Sequence, residues 1–185
     1  VVGNFDIQNS SGQITAGVVT ATTLNVGAAG TIITTQVGFG SVGIGSTQPT
    51  AMLDVDGHTK FKTYSEAVTS PSISSNEVTL DLSAAQSFTI TASDDINAFV
   101  LTNPPSGSTS FTVKILQDST GSRSVGIDTF KNSSGTAIPV YWPGGVLPIV
   151  TPTADRSDIY SFKTFDGDDI TSAGLYGVVG GQNFA

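Results

Sequence analysis

Cysteine is absent from the 185 residues, which excludes a disulfide framework, a thiolate metal site and a cysteine nucleophile. Basic residues are scarce: seven Lys and Arg stand against fifteen Asp and Glu, for a net charge of −8. They are scattered, at Lys60, Lys62, Lys114, Arg123, Lys131, Arg156 and Lys163. Nucleic-acid binding needs clustered cations that release phosphate counterions, so no nucleic-acid partner is expected. No apolar run nears the roughly 20 residues that span a bilayer, which argues against membrane insertion. No basic segment followed by an apolar stretch marks an export signal near Val1. Charged residues amount to 12%, and Met, Trp and His occur once each.

Small and hydroxylated residues fill the space. Glycine occurs 21 times, and Ser with Thr make up about a quarter of the chain. Such a composition favours short strands and turns over helices. The length suits one core, or a small domain with an extended segment, and no more.

Texture changes near Phe61. Up to that point Gly, Thr, Val, Ile and Ala form short alternating phrases, such as Ile14-Thr15-Ala16-Gly17-Val18-Val19-Thr20. Glycines at 12, 17, 27, 30, 38, 40, 43 and 45 interrupt them. Before Phe61, two Phe, one Met and small aliphatics bury too little surface to offset the ordering entropy of a lone chain. Residues 1–61 therefore read as an extended, intertwined β-stranded shaft in which copies complete one another's core. A disordered tether is the rival, disfavoured by the β-branched content.

Residues 62–185 carry longer strands and more aromatics. Val78, Leu80 and Leu82 alternate with polar residues, as do Phe88 and Ile90, the period of half-buried strands. The remaining strands are expected at 96–102, 110–116, 122–127, 140–142, 158–165 and 175–179, with turn chemistry between them. Residues 83–86 suit one helical turn. About eight strands without an amphipathic helix predict an antiparallel β-sandwich or jelly roll. Phe99, Phe111, Tyr141, Trp142, Tyr160, Phe162, Phe165 and Tyr176 are its expected core. The fold class is thus all-β, a shaft at 1–61 followed by a head at 62–185.

Catalytic constellations are thin. Glycan hydrolysis uses two carboxylates about 5–10 Å apart, yet Glu66 and Glu77 are the only glutamates, and the aspartates sit in turn contexts. His58, in Asp54-Val55-Asp56-Gly57-His58, has no nucleophile elbow to serve and reads as a turn residue. Three copies of His58 on a three-fold axis are the one route to a metal site, and nothing else supports it. Asp166-Gly167-Asp168-Asp169 departs from the EF-hand pattern and reads as a hairpin turn with exposed charge. No enzyme activity, cofactor or metal is expected. Tyr141 and Trp142 suit either a sugar-stacking platform or the closure of the sandwich end.

Two groups of residues carry a resemblance. Val42-Gly43-Ile44-Gly45-Ser46-Thr47-Gln48-Pro49-Thr50-Ala51-Met52-Leu53-Asp54-Val55-Asp56-Gly57 resembles a phrase common in bacteriophage tail fibres and other virion appendages. Leu101-Thr102-Asn103-Pro104-Pro105, Phe111-Thr112-Val113-Lys114-Ile115-Leu116, Thr120-Gly121-Ser122-Arg123, Trp142-Pro143-Gly144-Gly145, Asp158-Ile159-Tyr160-Ser161-Phe162 and Leu175-Tyr176-Gly177-Val178-Val179 follow the order of a C-terminal β-domain of phage structural proteins. The Ile-Thr-Ala-Gly phrase is similar to fibres of phages that infect marine cyanobacteria. The resemblance implies a virion protein, a homotrimer with a thin shaft and a β-head, and it transfers no catalytic residue. It also implies partners among baseplate, tail or capsid proteins and a location in a tail or capsid appendage.

Against that pattern this chain inserts residues 128–139, rich in Ser, Gly and Asn. Loops on a rigid scaffold commonly carry binding, so Asn132, Ser133 and Ser134, with Tyr141 and Trp142, are the candidate binding residues. Their expected ligand is host cell-surface polysaccharide. A purely structural joint within the particle is the alternative, and a polysaccharide depolymerase a third reading.

Overall fold

The computed structural model describes residues 42–44 and 50–185. These fall into two units, divided between Phe61 and Lys62. The shaft expected over 1–61 lies for the most part outside the described residues. Within the first unit, β1 (Val42–Ile44) and β2 (Leu53–Val55) pair in parallel, with Ile44 opposite Val55. The Asp56 N–H donates to the Ile44 carbonyl at 2.9 Å, and Asp54 Oδ2 accepts from the Thr50 N–H, also at 2.9 Å. Ile44, Met52 and Leu53 are all more than half exposed.

The second unit is all-β apart from two single turns of helix. Its strands are β3 (Val68–Thr69), β4 (Ile73–Ser74), β5 (Glu77–Asp81), β6 (Ser87–Ala92), β7 (Ala98–Thr102), β8 (Thr109–Gln117), β9 (Phe130–Asn132), β10 (Ala137–Ile138), β11 (Val140–Tyr141), β12 (Ser157–Thr164) and β13 (Leu175–Phe184). A 3-10 turn at Pro143–Gly145 follows β11, and α1 (Ile170–Ala173) precedes β13. No helix among the described residues is long and apolar enough to cross a membrane.

Two mixed sheets form, one ordered β10-β9-β7-β5-β4 and the other β11-β13-β12-β8-β6-β3. Each long strand buries alternate residues: β8 turns Phe111, Val113 and Ile115 inward and Ser110 and Lys114 outward. The inward sets meet in one cluster, where Phe130 of the five-stranded sheet packs 4.9 Å from Phe162 of the six-stranded sheet, centroid to centroid. Phe99 stacks on Phe130 at 5.1 Å, and Phe111 on Phe162 at 5.2 Å.

The expected antiparallel sandwich is corrected to a mixed one. From β5 to β9 the chain alternates between sheets, so β5, β7 and β9 run parallel to one another, as do β6 and β8. Parallel neighbours need a long crossover, and here each crossover is a strand of the opposite sheet. Antiparallel pairing holds for β8, β12 and β13 and for the hairpin β4–β5. That hairpin turns on Ser75 and Asn76, with φ of 53° and 60°, the double left-handed geometry of a tight hairpin. Residues 122–127, expected as a strand, contribute only the bridge Val125–Ile96. Gly121 and Ser122 both have positive φ, and buried Gln117 binds the Arg123 backbone through both amide atoms. The segment is thereby held as a loop.

Candidate binding site

Trp142 belongs to the core. Its ring meets Tyr160 and Phe162 edge-on, at 6.1 and 5.6 Å, and lies under Gly177, where a Cβ would stand 2.7 Å from the indole. It is 9% exposed and its Nε1–H is buried without a hydrogen-bond partner. The side chain therefore closes the sandwich and is not presented as a platform, which corrects its place among the candidate binding residues.

Tyr141, by contrast, stands outside. So do Tyr176 and Phe165, both expected in the core; the three are 47%, 47% and 63% exposed. The reason is the two-residue period. Leu175 and Gly177 face inward on β13, so Tyr176 and Val178 face out. Tyr160, Phe162 and Thr164 are buried on β12, so Ser161 and Lys163 face out, and Phe165 follows in the same sense. The side-by-side registers Tyr141–Tyr176 and Tyr176–Lys163 then assemble one outer corner of the six-stranded sheet.

In that corner the Tyr141 and Tyr176 rings lie 5.2 Å apart, and Phe165 meets Tyr176 at 5.4 Å with its plane turned by 78°. Lys163 Nζ sits 5.3 Å from the Phe165 centroid, within cation–π range, and has no carboxylate within 4 Å among the described residues. A hollow of about 370 Å³ opens on this outer face, bordered by Phe165, Tyr176, Val178, Ser110 and Ser161. Its lining is almost wholly apolar. Thr112 and Ser161 share a hydrogen bond at 3.1 Å beside it.

Asn132, Ser133 and Ser134 lie elsewhere. Asn132 Oδ1 accepts from the Ser134 N–H, the Ser134 hydroxyl and the Thr136 N–H, which closes a rigid turn between β9 and β10. Asn132 and Ser133 border a smaller cleft shared with Asp168 and Thr171, whereas Tyr141 and Trp142 both border a depression with Asp128 and Leu147. The five expected residues are thus not one site. Missed were Phe165, Tyr176 and Lys163, which strict alternation along β12 and β13 would have turned outward.

The carboxylates are engaged in the fold. Asp158 is buried and Oδ2 accepts from the Thr151 N–H at 2.7 Å and the Tyr160 hydroxyl at 3.0 Å, while Oδ1 accepts from the Asn183 N–H at 2.9 Å. Burial pushes its pKa up, but these donors outweigh it and hold the value below 3.8. The same burial and the neighbouring Asp158 charge push the Tyr160 hydroxyl pKa up. The turn expected at 166–169 caps α1: Asp169 Oδ1 accepts from the Ser172 N–H and the Thr171 hydroxyl. Asp168 Oδ2 accepts from the Ser106 hydroxyl at 2.8 Å. Glu77 pairs with Lys131 at 2.6 Å, and Glu66 accepts from the Ser87 hydroxyl at 2.9 Å.

The chain matches no protein-family model, no curated protein and no solved structure. Function therefore rests on the corner itself and on the residues that resemble phage fibres.

Proposed function

We propose that this chain is a non-enzymatic fibre protein of a bacteriophage virion, a homotrimer whose shaft carries the β-sandwich as a head for attachment to host-surface glycan. The observation that carries the reading is the uncovered aromatic corner of Tyr141, Tyr176 and Phe165 on a rigid two-sheet scaffold. Ordered aromatic faces without a covering element mark binding surfaces, and three copies on one shaft turn a weak contact into firm attachment. The exposed Ile44, Met52 and Leu53 of the first unit suit a segment that neighbouring copies complete.

A joint to another virion protein is the second reading, favoured by the exposed apolar loop of Val146, Leu147 and Ile149. The two readings separate in one experiment. Attachment predicts that the full chain, trimeric by light scattering, sediments with host cells and with their extracted envelope polysaccharide. Failure to retain either removes the attachment reading and leaves the joint. Release of reducing ends from that polysaccharide would instead identify a depolymerase.

A further inference from the structure

We infer that the hollow beside Tyr176 takes an anionic saccharide, one bearing carboxylate or sulfate groups, and that Lys163 reads the charge. The inference rests on the attachment reading above and names its site and ligand class.

Three observations converge. The first is shape: the hollow, at about 370 Å³, is of the size of one or two sugar rings. Phe165 stands nearly perpendicular to Tyr176, so one ring is a floor for the C–H face of a pyranose and the other a wall. Burying that face against aromatic carbon is favourable, and the Tyr hydroxyls remain free to meet sugar oxygens. The second is polar placement. Ser110, Ser161 and Lys163 border the hollow, with the Ser161 hydroxyl shared with Thr112 at 3.1 Å and the Lys163 ammonium over the Phe165 ring.

Charge is the third. In a chain of net charge −8, the six strands of this sheet contain one acid, Asp158, which is turned into the core. The outward positions carry Lys114 and Lys163, with no carboxylate within 4 Å of either among the described residues. Beyond the strands, Glu66 is held by Ser87 at the edge beside β3, and Asp166 follows Phe165 in the turn after β12. A sheet whose strands turn lysines and no acid outward, within an acidic protein, suits an anion, and charge-assisted bonds to Lys are the strong kind.

The test uses the full chain and three probes of equal length: oligogalacturonate, a sulfated galactan oligomer and a neutral galactan oligomer. Calorimetry should give binding of at least one anionic probe, weaker as salt is raised, and roughly tenfold or more weaker for Lys163→Gln and for Phe165→Ser. Both residues are exposed, so melting temperatures should match the parent and separate lost binding from lost fold. The inference is overturned if neither anionic probe binds or if the neutral oligomer binds as well. It is also overturned if the two variants keep full affinity, or if they change the mass by light scattering, since a second copy would then occupy the corner. Loss of the inference with host-cell retention intact leaves the attachment reading standing; loss of host-cell retention by the parent protein ends both.

Discussion

The two sheets of the head present opposite outer faces. On the five-stranded sheet charge is settled internally: Glu77 and Lys131 meet across β7, and Asp81 accepts from Ser83 and Asn103. On the six-stranded sheet Lys114 and Lys163 have no carboxylate within 4 Å among the described residues, and exposed aromatic rings gather at one corner. Both sheets feed the same core with the same alternation, so the difference is not required for folding. It leaves one face with its charges paired and the other with exposed rings and lysines.

The strongest way to break the comparison is from below. Phe162 lies on the core side of the strand that carries Lys163 and is 1% exposed, in contact with Phe111, Phe130 and Trp142. Phe162→Ala should cost about 3–5 kcal/mol by removing the ring from a packed core, read by denaturant unfolding. Gly177→Ala tests the same layer from the strand above. Its new Cβ would lie within 3.0 Å of three Trp142 ring atoms, and overpacking a rigid indole should cost about 1–3 kcal/mol.

Asp158 sharpens the comparison at the opposite end of β12. Asp158→Asn removes the carboxylate that gathers Thr151, Tyr160 and Asn183, and should lower stability at neutral pH by roughly 1.5–3 kcal/mol, the scale of hydrogen bonds to a charged group. The pH dependence has a definite sign. Its folded pKa is depressed below 3.8, so its stabilisation is complete above the unfolded value and is lost as pH falls through the folded one. The stability difference between parent and variant should therefore shrink below about pH 4. Taking the difference cancels the other lowered carboxylates, Asp81, Asp118 and Asp169.

Much of this architecture is legible in the chain, and what is not has a physical cause. Alternation alone finds β5, β6, β8 and β12 to within a residue or two. It does not say which strand lies beside which, because a half-buried strand satisfies either a hairpin neighbour or a crossover. That is why parallel β5–β7–β9 pairing is invisible until the chain is folded. Aromatic content misleads at the corner: Tyr176 and Phe165 have the bulk of core residues, but their neighbours Gly177 and Thr164 take the inward positions. Trp142 is core for the complementary reason, since Gly177 leaves room for its ring.

The smallest effects test whether the two faces differ as their charges imply. Lys131→Met breaks the contact with Glu77, a pair roughly one-third exposed on each side, and should cost no more than about 1 kcal/mol, less at high salt. Lys163→Gln removes a charge with no carboxylate within 4 Å among the described residues and only an exposed ring contact, and should leave stability within about 0.5 kcal/mol of the parent at any ionic strength. Urea unfolding at low and high salt reads both. A salt-sensitive loss at Lys163 equal to that at Lys131 would mean its ammonium is already partnered within the fold, and the six-stranded face would then have its charge paired like the other.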